Sequence, residues 1–180
     1  MRDGLLLIAT ALLGCGRVGF DGAGDAGAGD ASAGDASADT DSMPGCPAGY
    51  VSIPRSTTRY RFDPGPATWL AAELACEAEG THLAIPDNID ESDSLGLTFL
   101  AGVQKMFIGV SDRVVEGTFV PVTGGALGFT RFAAGEPNGG ANADGISLRG
   151  VNGVWEDEAD ALAIEFICEC DGKAADPTTF

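Results

Sequence analysis

Few residues in this chain are equipped for chemistry. Five cysteines stand at positions 15, 46, 76, 168 and 170, one histidine at 82, and 27 Asp and Glu face 10 Lys and Arg. A single imidazole excludes any multi-histidine metal site and makes a Ser-His-Asp or Cys-His arrangement depend on His82 alone. No nucleophile motif lies near His82, which predicts a turn or surface residue and argues against an enzyme. The formal net charge of -17 excludes a basic footprint for nucleic acid and disfavours polyphosphate and anionic-lipid surfaces. Aspartates at 21, 25, 30, 35, 39 and 41 are potential oxygen ligands, but their spacing matches no EF-hand loop. Cysteine chemistry is therefore the first to be read.

Residues 1–14 combine a short charged start, the apolar stretch Leu5 to Leu13 and a small residue before Cys15, the pattern of a cleaved export signal. The run Leu12-Leu13-Gly14-Cys15 resembles the bacterial lipobox, whose cysteine is lipid-modified on its thiol and becomes the new N-terminus. That resemblance implies a domain exported and lipid-anchored to a bacterial membrane, facing outside the cytoplasm. Several acyl chains at about 0.8 kcal/mol per buried methylene hold firmly where one chain holds marginally. No apolar run approaches the roughly 18 residues that span a bilayer. Residues 15–45 continue in Gly, Ala, Asp and Ser with Phe20 as the only aromatic, a composition that cannot bury a core and reads as a disordered tether.

Apolar periodicity begins at Cys46, and the segment 46–170 carries 18 acidic against 7 basic residues. With Cys15 set aside, Cys46, Cys76, Cys168 and Cys170 form an even set in an exported chain, which predicts two disulfides among three connectivities. Cys168 and Cys170 are poor partners for each other, because two residues apart in a strand they point the same way at about 6.6 Å. Thr68 to Gly80 is a predicted helix with Trp69, Ala72, Leu74, Ala75 and Cys76 on its apolar face and Glu73, Glu77 and Glu79 toward water. Tyr60 to Phe62 reads as a short strand before it, and Ser92 to Gly102 as a weaker helix after it. Met106 to Val110, Gly145 to Arg149, Val154 to Glu156 and Ala163 to Cys168 read as strands, with Asn152-Gly153 as a hairpin turn signal. Arg55, Arg59 and Arg61 alternate along an expected solvated strand edge. Phe129 and Phe132 read as core aromatics. Two helices early and short strands late make an α+β domain, with 171–180 as a C-terminal tail.

In order, these residues resemble a C-type lectin-like domain. Trp69, Ala72 and Cys76 followed by Gly80, Leu83 and Ala84 resemble that family's first helix and the turn after it. Phe107-Ile108-Gly109-Val110-Ser111-Asp112 resembles its Trp-Ile-Gly-Leu core strand, and Glu116-Gly117-Thr118-Phe119 its next turn. Gly135-Glu136-Pro137-Asn138 and Trp155-Glu156-Asp157 stand where the family carries its calcium and sugar motifs, and Phe166-Ile167-Cys168-Glu169 matches its closing strand. The match runs from Cys46 to Cys170. It implies a Cys76–Cys168 bridge, which leaves Cys46 and Cys170 to pair near the adjoining chain ends. The family's second bridge, near its binding loops, would fall at Ile146 and Asp160, and both cysteines are missing.

The resemblance further implies calcium held by Glu136, Asn138, Asp144, Glu156 and Asp157, with a cis Pro137 aiming Glu136 and Asn138 at one point. Calcium takes six to eight oxygens at about 2.3–2.6 Å. Two vicinal sugar hydroxyls would complete its shell, hydrogen-bonded by Glu136, Asn138, Glu156 and Asp157, while Trp155 packs beneath. Glu156 replaces the family's asparagine, adding a charge and removing an amide donor. Two functions follow as expectations: a calcium-dependent binder of glycans outside the cell, or a metal-independent module of the same fold that binds a cell-surface protein.

Overall fold

The computed structural model describes residues 45–180; the expected export signal, Cys15 and nearly all of the expected tether lie outside the described residues. Eight strands and two helices follow in the order β1 (Val51–Ser52), β2 (Arg59–Ala67), α1 (Trp69–Glu77), β3 (His82–Leu83), α2 (Ile89–Phe99), β4 (Lys105–Ser111), β5 (Val120–Pro121), β6 (Gly145–Arg149), β7 (Val154–Glu158) and β8 (Ile164–Cys170). The main sheet has the order β1-β2-β8-β4-β6-β7, with β3 added to β8 and β5 to β4. All pairings are antiparallel except β4 with β8, which meet in parallel at Phe107 and Phe166. The α+β architecture expected from the sequence is present.

Apolar alternation explains where the core lies. Met106, Ile108 and Val110 on β4, Ile146 and Leu148 on β6, and Trp155 on β7 are buried together. Phe129 and Phe132 pack edge-on to the Trp155 ring at 5.6 and 5.9 Å, and the Trp155 indole N–H donates to Ser92 Oγ at 3.3 Å. A second cluster gathers Trp69, Ala72, Cys76, Leu83, Phe107 and Phe166 around α1. The Trp69 side chain lies so close to Gly145 that any Cβ there would collide with it, so a bare backbone is required where the long loop enters β6.

The disulfides are Cys76–Cys168 and Cys46–Cys170, with Cα separations of 5.5 and 5.8 Å. The first ties α1 to β8, as the family resemblance implies. The second ties the start of the domain to its last strand. Where the family's further bridge would lie, Ile146 is fully buried and Asp160 is exposed.

Three expectations from residue type are corrected. His82 is not at the surface: it is fully buried, with Nδ1 2.8 Å from the Leu83 carbonyl and Nε2 3.0 Å from Asp171 Oδ1. Glu73 is not on the water face of α1: it is buried and Oε2 accepts the Leu83 N–H at 2.9 Å, whereas Leu74 is the exposed one. Arg59 does not line a solvated edge, because its guanidinium turns inward to the Tyr50 carbonyl at 3.0 Å. Residues 171–180 are more than a loose tail. The Asp176 N–H donates to the Val122 carbonyl at 2.7 Å, and the Phe180 ring meets Trp69 edge-on at 6.0 Å.

Candidate functional site

A long loop runs from β5 to β6, and β7 pairs antiparallel with β6. The register sets Ile146 opposite Asp157, Ser147 opposite Glu156 and Gly145 opposite Glu158. Side chains alternate across a strand, so Trp155 and Asp157 share one face while Glu156 and Glu158 share the other. Trp155 is fully buried under that first face, as the sequence predicts, and fixes the strand that presents Asp157.

Three of the five expected ligands meet. The Glu136–Pro137 bond is cis. The Asn138 side-chain amide donates to Glu136 Oε1 at 2.8 Å, and the Asn138 and Gly139 N–H groups donate to Asp157 Oδ1 and Oδ2 at 2.9 and 2.6 Å. Glu136 Oε2 is buried without a hydrogen-bond partner. Partial burial, the neighbouring Asp157 carboxylate and the charges of Glu156 and Glu158 push the Glu136 carboxyl up to about 7. Burial acts in the same direction on Asp157, but the two backbone N–H donors outweigh it and hold that carboxyl below its ordinary value. One ionised carboxylate thus faces a second that resists ionisation.

The other two expected ligands are engaged by arginines. Glu156 Oε1 is ion-paired with Arg149 Nη1, and Asp144 Oδ2 lies 3.7 Å from Arg113, which stands equally close to Asp160. Burial and then Asp160 raise the Asp144 carboxyl against the pull of Arg113. Sequence reading passes over Asp112 as a member of this region. It is buried, Oδ1 has no partner, and Oδ2 accepts the Gly117 N–H at 2.8 Å. Burial and the charges of Asp144 and Asp157 raise its carboxyl despite that N–H. Its signal is an acid directly after a buried strand, at the start of the Asp112–Gly117 turn. A recess of about 240 Å³ opens here, lined by Asp112, Glu116, Phe119, Asn138 and Asp157. Another, of about 250 Å³, beside Leu127, Phe129 and Glu169, shares no residue with it.

Among the described residues, no three His, Cys, Asp or Glu side chains form a ready metal cage. What converges is two carboxylates and one amide, the hard-oxygen set that suits calcium, with one buried carboxylate oxygen left without a partner. The donors fit such a cation as a partial shell that water or ligand hydroxyls would complete.

Comparisons with known proteins identify the domain. Residues 65–170 match the family model described as Lectin C-type domain. The chain is 37% identical over 98 residues to human C-type lectin domain family 3 member A, covering 52% of this chain and 50% of that protein. It is 31% identical over 140 residues to the hemolymph lipopolysaccharide-binding protein of Periplaneta americana, covering 71% and 54%. The chain thus spans about half the length of these relatives, both of which are animal proteins. The mouse scavenger receptor C-type lectin carbohydrate-recognition domain has the same fold, with a TM-score of 0.63 at 22% identity over 73% of this chain and 100% of that one. A non-enzymatic binding domain is what the family, the fold and the residues together describe, and this chain belongs to the C-type lectin domain family.

Proposed function

We propose that this protein is a calcium-dependent carbohydrate-binding module, exported and held to a membrane by lipid on Cys15. The observation that carries the reading is the convergence of Glu136, Asn138 and Asp157, with Glu136 Oε2 buried and unpartnered. Those three residues would hold the cation, with Asp144 and Glu156 at its edge. Bound calcium supplies a hard electrophilic centre that two vicinal sugar hydroxyls can ligate. The chain's own contribution is positional. Asp157 is fixed by two backbone N–H groups and by the buried Trp155 beside it, and its ionised state is maintained by those donors. Glu136 and Asn138 are linked to each other, so both reach the same point. A relative's name speaks of lipopolysaccharide and a neighbour's of carbohydrate recognition, and both support a glycan as the ligand class.

The test is thermal melting of the full chain in millimolar calcium and in chelator. A ligand present at 100 times its Kd stabilises by about 2.7 kcal/mol, a shift of several degrees for a domain of this size. Asp157→Asn should abolish that shift; a melting point indifferent to calcium refutes the metal site. A glycan array with and without chelator then tests the sugar. A second reading, a metal-independent protein-binding module, is favoured by the ion pair that occupies Glu156. It expects ligand capture unchanged by chelator.

A further inference from the structure

The segment that follows β8 takes no place in the sheet, yet it returns to the domain at both ends of one loop. Asp176 Oδ1 accepts the Thr178 N–H at 3.0 Å and the Thr178 hydroxyl at 2.7 Å, and the Thr179 N–H donates to the Asp176 carbonyl at 3.0 Å, so residues 176–179 form a self-capped turn. That turn is fastened where the long loop leaves β5. The Asp176 N–H donates to the Val122 carbonyl at 2.7 Å, and the Thr179 hydroxyl is shared between the Val122 and Asp176 carbonyls at 3.2 and 2.8 Å. The Asp176 carboxylate stands 3.0 Å from where a Cβ on Gly124 would lie. At the other end of the loop the contact runs through one side chain. Trp69 meets the Phe180 ring edge-on, abuts Gly145 where the loop enters β6, and is fixed to β4 by its indole N–H on the Ile108 carbonyl at 2.8 Å.

We infer that residues 176–180 are a clasp that closes the base of the loop carrying Glu136 and Asn138, directly at Val122 and through Trp69 at Gly145. The sheet by itself holds the departure of this loop weakly. β5 is two residues long, and Pro121 has no N–H to give the ladder. Neither disulfide includes a residue of the loop. Midway, β7 pins it through the Ala133 N–H on the Trp155 carbonyl and the Trp155 N–H on the Arg131 carbonyl, both at 2.8 Å. The base is left to the clasp, which gives the Val122 carbonyl its donors and packs Phe180 on the same apolar cluster that buries Val122. Fixing the two ends removes freedom that the loop would otherwise keep, so the placement of Glu136 and Asn138 opposite Asp157 draws on a segment remote from the site. The inference concerns the loop itself and holds whatever the site binds.

Amide hydrogen exchange followed by NMR on the full chain in chelator tests this, with the wild type, Thr179→Val, Phe180→Ala and Phe180→Tyr. The reporters at the departing end are the Val122 and Gly124 N–H groups, bonded to the Gly109 and Pro121 carbonyls at 2.9 Å. At the returning end the reporter is the Asp112 N–H, bonded to the Asp144 carbonyl at 3.1 Å. Phe180→Ala should speed exchange at all three by about fivefold, while the β6–β7 ladder and the Trp155 indole N–H stay within about twofold of wild type. Thr179→Val should speed Val122 and Gly124 by about threefold and leave Asp112 alone, which decides the matter even if Phe180→Ala does not fold. Phe180→Tyr keeps the ring on Trp69 and should restore wild-type exchange. Acceleration by one common factor at the loop base and in the ladder would show that the segment serves general stability only, and the inference falls. Unchanged exchange at Val122 and Gly124 in Thr179→Val overturns it as well. A melting point indifferent to calcium refutes the metal site and leaves this inference standing.

Discussion

Glu169 offers a sharp test of how this fold handles buried charge. It lies on β8, 4% exposed, with Oε2 accepting the Ile85 N–H at 2.9 Å and Oε1 accepting the Thr58 hydroxyl at 2.8 Å. Burial raises its carboxyl; the Ile85 N–H, the His82 charge and the Thr58 hydroxyl oppose, the Glu91 charge adds to the rise, and the balance is about 7 against 4.5 for an unfolded glutamate. Below pH 4.5 the group is protonated in both states and costs nothing. Between 4.5 and 7 the unfolded chain gives up its proton while the folded chain keeps it, so stability falls as pH rises. Above 7 the penalty is complete, and at about 1.4 kcal/mol per pH unit it amounts to roughly 3 kcal/mol. Glu169→Gln keeps an acceptor for the Ile85 N–H and removes the charge. Urea melts at pH 4.5, 6 and 8 should show the variant close to wild type at the lowest pH. At pH 8 it should be more stable by up to roughly 3 kcal/mol, a melting-point gain on the order of 10 °C. A stability difference that is flat across this range, or that grows toward pH 4.5, would refute the reasoning.

The His82 imidazole should report in the same direction. Burial alone would lower its pKa, but the Asp171 carboxylate and the Leu83 carbonyl outweigh it and hold it above 6.5, so its stabilisation is full below 6.5 and lost as pH rises through the folded value. His82→Gln should therefore destabilise more at pH 6 than at pH 9 in denaturant melts. A Cβ at Gly153, where φ is +54°, would run into the Ser92 carbonyl, so Gly153→Ala should lower stability by about 2–4 kcal/mol in the same assay. Replacing Cys46 and Cys170 together by Ala opens a bridge across 124 residues, but Cys76–Cys168 already shortens the ring it closes to about 30. The loss should be roughly 3–4 kcal/mol by calorimetry, short of the full value for a loop above a hundred.

What could be read in the sequence, and what could not, divides along the range of the interaction concerned. The apolar run Met106 to Val110, the helix around Trp69 and the even cysteine set are local or compositional signals, and each corresponds to an element of the fold. The hairpin after Arg149 was legible in place but not in form. It is a four-residue loop with positive φ at Gly150 and Gly153, and β7 continues two residues past the expected end to Glu158. Glu73, His82 and Arg59 were illegible for one shared reason. Polar type argues for the surface, and the partners that make burial tolerable lie on other segments of the fold: Asp171, 89 residues from His82, Leu83, 10 residues from Glu73, and Tyr50, 9 residues from Arg59.

The candidate site divides along the same line. Glu136, Asn138 and Asp157 were legible because a family motif names them together. The arginines that engage Glu156 and Asp144 were not: Arg149 is a diagonal cross-strand partner defined only once the β6–β7 register is known, and Arg113 reaches Asp144 from the loop after β4. This bears on function. Four carboxylates counted from the sequence, at 136, 144, 156 and 157, suit a neutral ligand less, and in the structure Arg149 and Arg113 stand against two of them. On the proposed reading, two basic residues that lie outside the motif, Arg149 and Arg113, offset part of the negative charge carried by the expected ligands.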